Sequence, residues 1–198
     1  MAWLRRYARL RVVLPADLPG GRRLRLLDES DAPALFAVID RNREHLAEWM
    51  PWVPHHTSAQ QTLAFIRASR RQVADNNGLQ AAIVDDGQIV GIIGFHSIDW
   101  GQRRTTIGYW LDAGQQGRGT MTEAVRTLVD QALVTWRLRR VEIRAAVENH
   151  RSRAIPERLG FRQEGVLRQA ERIGDRYVDH VVYAMEASQW TAGDDAAA

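Results

Sequence analysis

The spacing of hydrophobic positions changes once, sharply, near the middle of the chain. Residues 105–111 are β-branched and aromatic (Thr105, Thr106, Ile107, Tyr109, Trp110), the composition of a buried strand. Ala124, Val125, Leu128, Val129, Ala132 and Leu133 then recur at helical spacing and define one apolar face. Between the two, Gly114, Gly117 and Gly119 allow a tight turn, and Thr120-Met121-Thr122-Glu123 has the form of a capping box. A strand that runs into a helix start in this way leaves several N–H groups unpaired at the positive end of the helix dipole, a setting suited to phosphate.

The same patterns order the rest of the chain. Residues 22–27 alternate after a Pro19-Gly20-Gly21 break and predict a short strand. Ser30 caps a helix to about residue 42, with Leu35, Phe36, Val38 and Ile39 inward. Residues 49–56 contain Pro51 and Pro54, which exclude regular helix and leave a stiff aromatic loop. Trp49 and Trp52 in that loop either anchor the core or line a substrate mouth. Ser58 with Gln61 caps a second helix, to about residue 76. Residues 79–84 and 88–98 form a hairpin about Asp86-Gly87, and residues 141–147 are another strand. A short helix over 152–159 stops at Gly160, with Pro156 compatible only with its first residues. Residues 161–173 and 176–185 make a last hairpin about Gly174-Asp175. The order β-αα-βββ-α-β-α-ββ predicts an α/β (mixed α+β) fold with helices flanking a sheet. The strand–helix–strand unit across 105–147 places a parallel crossover at its centre.

Length and composition narrow the picture. The 198 residues predict one domain over 21–190, with a basic leader (1–20) and a frayed tail (191–198). No window approaches the roughly 20 apolar residues of a membrane span. The longest apolar run near the start is Val12-Val13-Leu14, too short for a secretory signal, so cytoplasmic residence is expected. There is no cysteine, which excludes disulfides, thiolate metal sites and a cysteine nucleophile. All 27 basic residues are arginine, which excludes Schiff-base and lysine-base chemistry. Seven arginines precede position 26 against one acid, Asp17, so the leader is either a solvated arm or a contact for RNA, the ribosome or an acidic protein. His55 and His56 are adjacent and face apart with no accompanying ligand spacing, and no metal is expected.

The glycine turn sets candidate chemistry. No Lys-Ser/Thr follows it, which excludes a P-loop, and Thr122 stands where a dinucleotide fingerprint needs its third glycine. Gly114-Gln115-Gln116-Gly117-Arg118-Gly119, in this element order, resembles the GNAT acetyltransferase superfamily, whose signature is Gln/Arg-x-x-Gly-x-Gly/Ala. Here Gly114 replaces the leading Gln or Arg. Further segments are similar to the Rim-type (RimJ/RimL-like) branch, the ribosomal-protein N-terminal acetyltransferases. They are Ile107-Gly108-Tyr109-Trp110-Leu111, Arg140-Val141-Glu142-Ile143-Arg144, Glu148-Asn149 with Ser152, Leu159-Gly160-Phe161 with Glu164-Gly165, and Arg168-Gln169-Ala170-Glu171. The resemblance covers about residues 22–186.

It implies a mostly antiparallel sheet splayed at its middle strands, acetyl-CoA as donor, and direct transfer in a ternary complex. Gln115, Gln116, Gly117, Arg118, Gly119 and Thr120 would surround the diphosphate. The pantetheine arm would run strand-like along Ile107, Tyr109 and Trp110. Asn149 matches a cofactor-contacting position or simply ends a strand. Ser152 matches the serine that protonates the departing thiolate, or caps the short helix. An α-amine has a pKa near 8, so a modest base suffices. On an alternating strand, Leu167, Gln169, Glu171 and Ile173 share a face, where a carboxylate would be partly desolvated and its pKa raised. The resemblance makes Glu171 the base; otherwise it pairs with Arg172 or Arg176. A backbone N–H near Tyr109 or Trp110 would stabilise the oxyanion.

The expected activity is acetylation of an exposed protein N-terminus beginning with a small residue such as Ser or Ala. Trp49, Trp52, His96 and Tyr183 are the candidate substrate walls. A small amine (an antibiotic or polyamine) is the alternative acceptor, although the 45–56 loop carries only Glu48 to attract a polyamine. A non-catalytic coenzyme-binding, ribosome-associated module is the other alternative. The sequence leaves a homodimer open and points to no membrane partner.

Overall fold

The computed structural model describes residues 14–191. The first part of the basic leader and the Ala- and Asp-rich tail lie outside the described residues. Eight strands make one sheet in the order β1-β2-β3-β4-β5-β6-β8-β7. They are β1 (Ala16–Leu18), β2 (Arg22–Leu26), β3 (Leu79–Asp85), β4 (Gln88–Asp99), β5 (Arg104–Leu111), β6 (Arg140–Ala146), β7 (Arg162–Ile173) and β8 (Arg176–Glu186). Five α-helices accompany them: α1 (Ala32–Arg41), α2 (Arg43–Ala47), α3 (Ala59–Ala74), α4 (Thr120–Asp130) and α5 (His150–Arg158). Two elements add to the expected order. Asp17 in β1 pairs with Arg23 of β2, so part of the stretch read as a leader belongs to the sheet. The one-turn α2 follows α1 directly.

Two apolar layers form on opposite faces of the sheet. Under α4, Val125, Leu128 and Val129 pack with Ile93, Phe95, Ile107, Val141 and Ile143. Under α1 and α3, Leu35, Ile39 and Ile66 pack with Ala82, Ile89 and Ile92, and Trp52 and Trp110 lie against them. Strand alternation sends successive side chains to opposite faces, and a register shift between β3 and β4 at Ile83/Val84 lets Ile89 and Ile92, three positions apart, share one of them.

Local chemistry corrects several expected boundaries. Asp28, not Ser30, opens the first helical segment, in a capping box with Asp31, and Arg25 holds Asp31 at 2.6 Å. Ser58 and Gln61 form the expected box at α3. No box forms at α4: Gly119 is its N-cap in left-handed backbone, and Glu123 turns to Arg126 instead. The apolar face expected to continue to Leu133 does so through a π turn, Gln131–Thr135. Pro156 is deep inside α5, not in its first turn, and a side chain from β5 replaces the hydrogen bond it removes.

The decisive feature is the contact between β5 and β6. These strands run parallel, and their pairing extends from Arg104↔Arg140 to Ile107↔Ile143 and then stops. Beyond it, β5 stays paired with β4 as far as Leu111, and β6 stays paired with β8 as far as Ala146. The sheet therefore opens into a V whose inner edges are Gly108–Leu111 and Arg144–Ala146.

Candidate active site

A cleft of about 790 Å³ fills this V and the space beneath α1 and α3. Its walls include Trp49, Trp52, His96, Ile107, Tyr109, Trp110, Asn149, Ser152 and Glu171, nine positions drawn from segments scattered through the sequence. Tyr183 is absent from it. That side chain is 1% exposed, packs in the α4 layer, and donates its hydroxyl to Glu157 while accepting from Arg153. Inward alternation on β8 put it in the core, so it is no substrate wall.

One end of the cleft is built by a proline. Asn149 caps α5, its side chain accepting the Ser152 N–H at 3.1 Å, so Ser152 itself is not the cap. In a regular helix the Ser152 carbonyl would accept from residue 156, but that residue is proline and has no N–H. The Tyr109 hydroxyl fills the gap, donating to the Ser152 carbonyl at 3.0 Å, and lies 3.4 Å from Ser152 Oγ. Burial pushes the Tyr109 phenol well above its ordinary pKa, so it stays a donor at neutral pH.

The opposite wall carries Glu171. Its side chain is 37% exposed, and Oε2 lies 3.4 Å from His180 Nε2. The arginines expected to compete for it point elsewhere. Arg172 donates to the Gly174 carbonyl, and Arg176 donates to the Glu48 carbonyl at 2.8 Å with its guanidinium over the Trp49 ring. Arg176 thus links the last hairpin to the aromatic loop across the mouth. Strand alternation does not hold through β7. The register breaks between Leu167 and Glu171, and Leu167 is 42% exposed rather than a desolvating neighbour.

His96 lies against the floor. Its Nε2 is 1.9 Å from where a Cβ on Gly108 would be, so a side chain there would push the ring aside. The walls around the ring hold the imidazole below its ordinary pKa. His56, behind the aromatic loop, meets Thr62 Oγ1 at 2.7 Å and Trp52 edge-on, and burial with Arg43 nearby lowers its pKa too. Trp52 therefore both packs in the core and lines the cleft.

The glycine turn sits beyond the end of β5. Arg41 of α1 holds Asp112 at 2.6 Å and Asn42 accepts the Ala113 N–H, which fixes where the turn departs. Gly117 and Gly119 have φ of +77° and +75°, with open space where a side chain would begin. The first helical bond of α4 runs from Glu123 N–H to the Gly119 carbonyl, and no side chain caps the helix. The Thr120, Met121 and Thr122 amides therefore precede the helical ladder. Gln116 does not present a free side chain here, whereas Gln115 is not engaged. Gln115 Oε1 is buried without a hydrogen-bond partner, and Gln116 is held between His45 and Arg151. Arginines that no local pattern marks also converge: Arg22 bonds the Thr120 hydroxyl and the Arg118 carbonyl, and Arg158 bonds the Thr122 hydroxyl.

A turn of free amides beside arginines fits a diphosphate, and an unpartnered strand edge fits an extended amide-bearing arm. Residues 22–162 match the family described as Acetyltransferase (GNAT) domain. The chain belongs to the GNAT acetyltransferases. It is 37% identical over 168 residues to the putative ribosomal N-acetyltransferase YdaF of Bacillus subtilis (strain 168), covering 84% of this chain and 92% of YdaF. Among solved structures, RimL, a ribosomal L7/L12 alpha-N-protein acetyltransferase in complex with coenzyme A, superposes with a TM-score of 0.80 at 27% identity, covering 89% of this chain and 97% of RimL. The microcin C7 self-immunity acetyltransferase MccE, in complex with acetyl-CoA and AMP, gives a TM-score of 0.79 at 28% identity, covering 83% and 92%. This GNAT chain is therefore an acetyl-CoA-dependent N-acetyltransferase of the Rim type.

Proposed function

We propose that this enzyme acetylates the N-terminal α-amine of a protein, ribosomal in kind and beginning with Ser or Ala, in the cytoplasm. The observation that carries the reading is the placement of Glu171 and Ser152 in one cleft, at the point where β5 and β6 part. The names of YdaF and RimL support the class of acceptor.

When bound, acetyl-CoA supplies the activated acetyl group. The amides of Gly117–Thr120, with Arg22 and Arg118 beside them, hold the diphosphate at the N-terminus of α4. The free edge of β5 from Ile107 to Trp110 carries the pantetheine arm, with Asn149 opposite. Glu171 takes the proton from the incoming amine, and the Ser152 hydroxyl gives one to the departing sulfur. A backbone N–H at Tyr109 or Trp110 stabilises charge on the carbonyl oxygen. Trp49, Trp52 and His96 line the acceptor side.

Incubation with acetyl-CoA and a Ser-initiated ribosomal-protein peptide, read by mass spectrometry, tests this. Acetyl on the α-amine is the expected result; addition to a lysine side chain, or to nothing, overturns the choice of acceptor. A second reading has its own support: the likeness to MccE and the aromatic walls are compatible with a small amine carrying a ring. A panel of such amines in the same assay separates the two.

A further inference from the structure

The register of the last hairpin bears directly on Glu171. Leu167 of β7 faces His180, and Glu171 faces Val178, so Arg168, Gln169 and Ala170 stand against Asp179 alone. Such an insertion bends a strand and re-aims the side chains beyond it. Here Asp179 pins it: its carboxylate accepts the Gln169 N–H at 2.8 Å and the Arg168 guanidinium at 2.5 Å. Gln169 adopts φ +49°, a backbone conformation disfavoured for a residue with a side chain, so the surroundings hold the bulge in place. Without the bulge, a simple two-residue alternation would carry β7 past Glu171 in a different register. With it, Glu171 comes to the cleft beside the residue that succeeds Asp179.

That residue is His180. Its side chain is 17% exposed, it lines the cleft, and its Nε2 lies 3.4 Å from Glu171 Oε2. From the pinned bulge and this pairing we infer that His180 is a positioning residue for Glu171, holding one carboxylate oxygen so that the other faces the amine. Ligand-free contacts of this kind are often longer than the working hydrogen bond and tighten when substrate arrives. Asp179 and His180 are consecutive, so one stretch of β8 both sets the bulge and orients the base. This inference rests on Glu171 acting as the base in the proposed reaction.

The test combines kinetics with a measurement that needs no turnover. His180→Ala is expected to lower kcat about tenfold or more with KM for acetyl-CoA unchanged, and His180→Gln, which keeps a donor, to recover part of the loss. Adding His180→Ala to Glu171→Gln should cost little further, because the two act as a unit. Losses that multiply, or an unchanged kcat in His180→Ala, overturn the inference. In NMR of the full chain, the His180 ring resonances, assigned by their loss in His180→Ala, should move in Glu171→Gln while those of His55 do not. If they stay in place, the pairing is absent. A protein that acetylates no peptide but keeps the NMR coupling refutes the acceptor and leaves the pairing standing.

Discussion

The Tyr109 hydroxyl donates to the Ser152 carbonyl, which Pro156 deprives of its helical partner. A residue on β5 thereby fixes the first turn of α5 from outside, across the V of the sheet. In Tyr109→Phe that carbonyl loses its donor, and we expect destabilisation of about 1–3 kcal/mol. Pro156→Ala returns an N–H to the same carbonyl, so Tyr109→Phe should cost less in that background. Urea denaturation of the four proteins checks the cycle.

Gly119→Ala separates conformation from sterics. The left-handed backbone costs a side-chain-bearing residue roughly 1–2 kcal/mol, yet a Cβ there meets nothing. A lower Tm with acetyl-CoA affinity reduced in parallel is expected. Asn at 119 should be better tolerated than Ala, because Asn enters this backbone region more readily. Thermal melts and titration calorimetry measure both.

Gly108→Ala drives a methyl into His96. The imidazole faces the cleft and can swing away, so the expected stability loss is at the lower end of the roughly 1–3 kcal/mol range of overpacking. The displaced ring then enters the part of the cleft proposed to take the acceptor, and turnover should fall more than stability. Gly108→Ala with His96→Ala should recover stability, and unchanged melting in both variants would contradict the contact.

Mild acid should weaken the fold through two histidines. His56 and His96 have folded pKa values below 6.5, so on acidification the unfolded chain binds protons first. Their contribution is complete above that value and is lost as pH falls through it toward the folded values. Urea midpoints at pH 7.5, 6.5 and 5.5 should decline, and His56→Asn should flatten the decline.

Glu171→Gln keeps the shape of the side chain and removes the carboxylate proposed as the base. Turnover should slow by roughly 10²-fold or more while coenzyme binding survives. Unchanged turnover would take Glu171 out of the mechanism.

Much of the fold was legible because its signals are local. The Asp86-Gly87 and Gly174-Asp175 turns, the Ser58–Gln61 box and the helical face of α4 each depend on residues a few positions apart. The glycine turn was legible for the same reason, although its cap is Gly119 rather than the threonine-led box. Where local patterns mislead, a distant partner overrules them. Pro156 lies deeper in α5 than its own chemistry suggests because Tyr109, 43 positions from Ser152, satisfies the carbonyl that the proline strands. The environment of Glu171 departs from strand alternation because Asp179 pins a bulge that alternation does not anticipate.

By itself the sequence determined the order of elements apart from β1 and α2, and the chemistries that the absence of cysteine and lysine excludes. Hydrophobic period, turn residues and caps act over one or two turns of chain, and those ranges can be read in a line. Only the tertiary structure decided which groups meet: that Tyr183 is buried, that Arg22 reaches the α4 turn, and that His180 stands beside Glu171. Those meetings are set by strand register and by where β5 and β6 stop pairing. Register is a property of two segments at once, and neither segment carries it alone.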